Sequence, residues 1–431
     1  MPDPIPLAAT LTENKPLPDR LNAKAAVIVF LAFAAAYFCS ALLRAITATL
    51  APVLTQEFSL QARDLGLLAG GYFLGFAAVQ LPLGRWLDSH GPKRVILWFL
   101  CLAVLGCLAF SVASSFAWLL TARVLIGMGV GACLMAALTG YRRWFDLATL
   151  LRANSWMLMT GSLGMLASTL PVQWLMPLTG WRALFWLLAA MIVLSMAGVA
   201  WVVPRWRPAS ALASLPSSPP ATAPQEAGYA PIWRSRYFRK MAPLAFFNYG
   251  GMLAIQTLWA GPWMVGVNGQ TPLASATGLF YINASMLVTF WSWGMLSPWL
   301  ARNGWNATRL IAWGTPLSLA VLAFNILAGT STGWLGWALF CVTSSVMGLA
   351  QPAVGMSFRA ALAGRALSAY NLVIFSGVFA AQWSLGLLID GFAALGLRPV
   401  ASFQAATAVF LCCCIAAYGC FISVKADNSP Q

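Results

Sequence analysis

Long apolar runs separated by short polar turns mark out this chain. Runs near the length a helix needs to cross hydrocarbon, about twenty residues, lie at 24–50, 65–87, 95–113, 116–140, 153–175 and 181–203. After a polar break they resume at 242–267, 274–300, 310–327, 333–358, 366–389 and 400–424. Backbone polar groups inside a bilayer must be bonded within the chain, so apolar runs of this kind fold as helices. The pattern predicts an all-α membrane protein with twelve transmembrane helices in two bundles of six. Its expected parts are a tail at 1–23, a first bundle at 24–203, a linker at 204–241, a second bundle at 242–424 and a tail at 425–431. The middle of the linker, Ser214 to Pro224, is rich in Ser and Pro and reads as a flexible tether. Arg234 to Lys240 is basic and aromatic, which suits a stretch lying at the membrane interface.

Composition excludes a soluble competitor. The 431 residues are 60% hydrophobic and 8% charged, against roughly a quarter charged in soluble proteins. The first twenty residues hold five prolines and no apolar core, so no cleavable signal is expected. All nine cysteines fall inside apolar runs without a paired spacing, which predicts neither disulfides nor a metal centre.

The net charge of +15 is distributed by topology. Of the 25 Lys and Arg, Arg44 and Arg123 fall within spans, and Arg63, Arg182 and Arg398 fall in odd-numbered turns. The remaining twenty lie in even-numbered turns and the tails. That bias predicts cytoplasmic termini. It also explains the basic balance without nucleic acid.

The halves repeat faintly at an offset of 365 − 152 = 213. Arg152-Ala153 matches Arg365-Ala366, Gly164 matches Gly377, and Gly91 matches Gly304. Asp88 meets Ala301, so the second copy lacks the acid. Two such repeats predict halves related by an axis along the membrane normal.

The turn after the second run reads Gly84-Arg85-Trp86-Leu87-Asp88-Ser89-His90-Gly91-Pro92-Lys93-Arg94. So many charged side chains cannot lie in hydrocarbon, and Gly84 and Gly91 allow close or sharply turned helix ends. The spacing of Gly84, Asp88, Gly91, Lys93 and Arg94, placed after a second span, resembles the signature loop of the major facilitator superfamily. The resemblance covers nearly the whole chain and implies alternating access by a rocking motion, without cofactor, in a monomer. It also implies that Asp88 latches the cytoplasmic ends of helices 2 and 11. Arg94 and the turn Arg142/Arg143/Asp146/Arg152 are candidate ion-pair partners for it.

A charge inside a span is costly and marks a functional candidate. Arg44 stands eight residues before Pro52, roughly 12 Å from the expected helix end. Tyr37, Ser40, Arg44 and Thr47 recur at helical spacing as a polar stripe. Arg44 therefore either lines the central cavity or makes a structural or gating contact. An arginine in helix 1 resembles anion-handling branches of the superfamily, such as organophosphate and nitrate porters. Those for organophosphates also use a helix 7 base, where this chain has Asn248, Tyr249 and Gln256. Arg123 opens a glycine series, Gly127, Gly129 and Gly131, that looks like the family's helix 4 motif. The resemblance implies a structural role for Arg123 or one in the transport site.

None of the ten acids falls mid-span, and the single histidine is His90 in the turn. A cation would find no counter-charge in the cavity. Proton coupling would have to use the substrate or a rim acid such as Asp64 or Asp390. Helix 5 lacks the Gly-Pro-x-x-Gly-Gly element typical of the drug-antiporter branch. The second half offers neutral groups, among them Asn248, Tyr249, Gln256, Asn283, Gln351, Tyr370, Asn371 and Gln382. The residues expected to meet substrate are Arg44, Tyr37, Arg123, Asn248, Tyr249, Gln256, Gln351 and Asn371. Those expected to form the latch are Gly84, Asp88, Gly91, Lys93, Arg94 and Arg152.

The expectation is a secondary transporter of a small anion in a bacterial inner membrane. An exporter of amphipathic compounds is the alternative, and a non-transporting sensor or assembly subunit is an alternative of another class. An enzyme is not expected, since no catalytic triad, metal cluster or phosphate loop is present in the sequence.

Overall fold

A computed structural model describes residues 20–206 and 228–424. The tails at 1–19 and 425–431 and the linker segment 207–227, which contains Ser214 to Pro224, lie outside the described residues. Among the described residues there is no strand.

Twelve long helices follow in order, and among the described residues nine stretches are long and apolar enough to cross a membrane. The first half has α1 (Ala23–Phe58), α2 (62–90), α3 (92–111), α4 (Phe116–Trp144), α5 (147–179) and α6 (181–202). The second has α7 (236–266), α8 (Pro272–Arg302), α9 (Ala307–Ala328), α10 (Trp334–Met356), α11 (Ala360–Ala394) and α12 (Pro399–Ser423). The boundary between α2 and α3 is Gly91 at φ 77°, and that between α5 and α6 is Gly180 at φ 70°. Side chains at the starts satisfy free backbone N–H groups: Asn22 accepts from Ala25, Ser115 from Trp118, Asp146 from Thr149 and Asn306 from Arg309. A short helix, Ala230–Arg234, precedes α7.

One expected boundary was wrong. Helix α1 does not stop at Pro52; it runs through it to Phe58 and ends on Ser59 at φ 50°. Neighbouring helices and local adjustment tolerate proline within a span. Arg44 is thus 58 − 44 = 14 residues from the helix end, about 21 Å along the helix rather than 12.

The repeat is visible in the backbone. Gly91 and Gly304 both take the left-handed conformation, at φ 77° and 76°, which an L side chain resists. A Cβ on Gly164 would overlap the Phe38 carbonyl of α1, and one on Gly377 would overlap the Phe246 carbonyl of α7. The same glycine therefore lets α5 touch α1 and α11 touch α7.

Residues 20 and 424 share one side of the bundle, the terminal face; the other side is the far face. At the far face a Cβ on Gly66 of α2 would overlap the Gln382 carbonyl of α11, and one on Gly386 would overlap the Ala62 carbonyl. Packing between the halves is densest there and thins toward the terminal face. The cleft between the halves is closed at the far face.

Candidate functional site

Helix α1 carries Arg44 to the seam between the halves. Its guanidinium carbon is 5.8 Å from the ring centre of Phe76 on α2 and 5.7 Å from that of Phe375 on α11. Those two rings are 4.3 Å apart, so the cation covers the point where the halves touch. Cations are held this way by the negative faces of aromatic rings. The Tyr72 hydroxyl donates to the Ser40 carbonyl at 3.0 Å, and Tyr72, Tyr37 and Tyr249 lie within reach of the Arg44 charge. The Nε of Arg44 is buried without a hydrogen-bond partner, and so is that of Arg123. A buried donor left unbonded is uncommon in a finished core.

Arg123 is used differently. It is 1% exposed, and its two terminal nitrogens donate to the Leu43 carbonyl, at 3.0 Å, and to the Thr47 hydroxyl. Its plane lies over Tyr72, 5.4 Å from the ring centre. Both acceptors are on α1, so Arg123 pins α4 to α1 inside the first half and is turned away from the seam. The stripe on α1 splits accordingly. Ser40 and Thr47 face α4 or its arginine, whereas Tyr37 and Arg44 share the space near Tyr249.

The second half presents neutral groups, mostly paired among themselves. Gln351 donates to Asn371 at 2.8 Å, joining α10 to α11; Asn371 is buried and Gln351 partly so. Gln256 donates to Asn283 at 3.0 Å, and Gln382 to Thr257 at 3.0 Å. Asn248 donates to the Cys414 carbonyl of α12, on the side of α7 away from α1. The structure thus brings Arg44, Tyr37 and Tyr249 together, keeps Gln351 and Asn371 as one pair, and spends Arg123, Asn248 and Gln256 on helix packing. Helix α7 is wound as a π-helix at Leu244–Tyr249 and again at Ile255–Trp259. Such wide turns recur at functional sites. Here they set Tyr249 and Gln256.

Phe76, Phe375 and Tyr72 were missed in the sequence. The available signal was the pair Tyr72 and Phe76, four apart on one helix face and stacked at 6.2 Å.

At the terminal face Gly91 makes the turn, and a Cβ on it would overlap Trp206. Arg143 sits 4.7 Å over the Trp206 ring, so the residue that follows α6 plugs the turn between α2 and α3. Lys93 donates to the Val203 carbonyl at 2.7 Å. Burial, and next Arg205, lower its pKa. Gly84 meets nothing a Cβ would touch, so no close approach depends on it here. Asp88 is exposed, and among the described residues it makes no hydrogen bond or ion pair. Its pKa is raised by partial burial, with Arg365 at the start of α11 acting against that. The cation beside Asp88 is thus Arg365, and Arg94 and Arg152 stand exposed elsewhere on the face.

A sequence profile of the Major Facilitator Superfamily matches residues 33–382. The chain belongs to that superfamily. Among curated relatives, the multidrug resistance protein MdtL of Escherichia coli strain 536 is 26% identical over 386 residues, covering 82% of this chain and 92% of the relative. MdtL of strain ED1a is 27% identical over the same shares. Among solved folds, a D-xylose-proton symporter superposes with TM-score 0.76 at 13% identity, over 94% of this chain and 99% of that one. A bacterial homolog of the human lysosomal transporter Spinster, inward-facing and unoccupied, gives 0.73 at 16%, over 95% and 100%. This facilitator is therefore a multi-pass membrane transporter of small molecules, and its twelve helices in two halves are the superfamily's fold.

Proposed function

We propose that this facilitator carries a small anion of single negative charge through the space in front of Arg44, by rocker-switch alternating access. The observation that carries the reading is the half-buried Arg44 cation at the seam, set among aromatics with its Nε unbonded and no acid in the middle of any span. A lone cation at that depth lowers its cost by taking a counter-ion. Tyr37 and Tyr249 offer hydroxyls, Phe76 and Phe375 offer faces for an apolar body, and the Gln351–Asn371 pair lies where a substrate could split it. The parts that rock are the bundles 24–203 and 242–424, joined by 204–241. In this reading the terminal face lies on the cytoplasmic side of a bacterial inner membrane, an orientation the cation bias supports, and the protein works as a monomer.

The test is a thermal-shift screen of the purified protein in detergent against anions, cations and neutral compounds, with Arg44→Ala alongside. Ligand binding raises the melting temperature of the native state. An anion that stabilises the wild type and not Arg44→Ala is the expected result. A second reading is export of amphipathic compounds, favoured by the name of the MdtL relatives. It takes over if neutral or cationic amphiphiles stabilise both proteins equally.

A further inference from the structure

Helices α2 and α11 cross the whole thickness in opposite directions, and each carries an aspartate near its end. Asp88 lies near the end of α2 beside the start of α11, and Asp390 near the end of α11 beside the start of α2. The second contact is fully made here. The backbone N–H groups of Ala62 and Arg63, the first two residues of α2, donate to the two oxygens of the Asp390 carboxylate at 3.2 and 2.8 Å. These are donors a helix cannot satisfy within itself, and the positive end of the helix dipole favours an anion there. The acid that satisfies them belongs to the other half of the protein. Gly386, one turn before it, and Gly66, one turn into α2, are what let the two backbones come close enough. Helix α2 also has an acid of its own: Asp64 accepts from the Gln61 N–H at 3.0 Å and lies 3.8 Å from the Arg63 guanidinium. The Asp390 contact is therefore additional to an ordinary cap.

We propose that Asp390 is the clasp that holds the far face shut. It caps α2 across the seam in the conformation seen here. Opening the far face must break it, because the two bonds span the gap that has to widen. Asp88 stands at the other end of the same helix pair, exposed in this conformation, and is placed to cap α11 when the terminal face closes. One carboxylate is thus engaged while the other is released, and the two ends of one helix pair report opposite states. Asp390 is a positioning residue in this scheme and need not touch the transported solute.

Hydrogen–deuterium exchange of the full chain in nanodiscs tests this without a substrate. Wild type, Asp390→Ala, the shape-preserving Asp390→Asn and the control Asp64→Asn are compared. Loss of the clasp is expected to speed exchange over 60–66 by about tenfold. It is also expected to slow exchange over 84–90, as the terminal ends of α2 and α11 close. Asp64→Asn is expected to speed the first segment slightly and leave the second unchanged. Fast exchange at 60–66 with no change at 84–90 in either Asp390 variant would reduce Asp390 to a local cap and overturn the proposal. No change at either segment would overturn it too. Asp390→Asn keeps the side-chain volume and carries the decision if Asp390→Ala does not fold.

Discussion

In the first half two arginines, Arg44 and Arg123, lie deep within membrane helices; in the second, the middles of the corresponding helices hold no charged side chain. The backbones differ in the opposite sense. Helix α1 runs unbroken through a proline, whereas its counterpart α7 is loosened by two π-helical segments. The helix that carries the cation is therefore the regular one of the pair. Arg123 ties α4 to α1 and so holds the helix that displays Arg44. The neutral half meets that fixed cation with side chains on an irregular helix. Division of this kind lets one half supply the field and the other adjust its shape around the load.

The comparison breaks most severely at Arg123. Arg123→Ala leaves the Leu43 carbonyl and the Thr47 hydroxyl without their buried partner and opens a cavity. A loss of about 2–5 kcal/mol is expected from the cavity and the orphaned acceptors, read as the largest fall in melting temperature of any variant here. Arg123→Lys should recover part of it, since a single ammonium cannot reproduce the fork. A small fall for Arg123→Ala would mean that α1 is held rigid by packing alone.

Paired glycine substitutions sharpen the comparison. Gly164→Leu and Gly377→Leu force a side chain into the Phe38 and Phe246 backbones. About 1–3 kcal/mol is expected for each. If the π-segments make the second half the more yielding, Gly377→Leu will cost less in the same melting assay.

Arg44→Ala should leave the melting temperature of the empty protein within a few degrees yet weaken anion binding at least about tenfold, or 1.4 kcal/mol. Gln351→Ala should weaken it less than about threefold, a typical value for one neutral hydrogen bond. Equal effects would place the substrate's charge on both halves and dissolve the distinction drawn above.

The smallest effect is expected at Asp88. Partial burial raises its pKa in this conformation, so the ionised form is disfavoured here. This conformation should then gain stability as the pH falls through that raised value and lose it as the pH rises. Asp88→Asn mimics the protonated group. It should shift the population modestly toward terminal-face opening at neutral pH, measured by labelling of cysteines placed in the cleft. Unchanged accessibility together with unchanged transport would remove Asp88 from the switching apparatus.

How much of this was legible in the chain depends on the length scale of the signal. The spans could be read because hydrocarbon imposes its thickness on every helix, and Gly91 and Gly304 because few residues tolerate their backbone. Arg44 and Arg123 stood out as charges in apolar runs. Their different fates did not, because what separates them is the neighbour across the bundle: a carbonyl on α1 for one, a pair of rings at the seam for the other. Pro52 misled because its rule comes from isolated helices and the surrounding helices override it. The π-turns of α7 and the docking of Trp206 on Gly91 leave no local pattern in the sequence at all.

A single fixed cation in an alternating cleft is also an electrical element. With the far face closed, the membrane voltage falls mainly between Arg44 and the far side; with the terminal face closed, it falls on the other side of the same charge. Returning empty thus moves a charge through the field, at a cost or gain of up to about 2.3 kcal/mol per 100 mV, while returning with a monoanion moves almost none. Under the anion reading, exchange of one anion for another would ignore the membrane potential, and net flux would follow it.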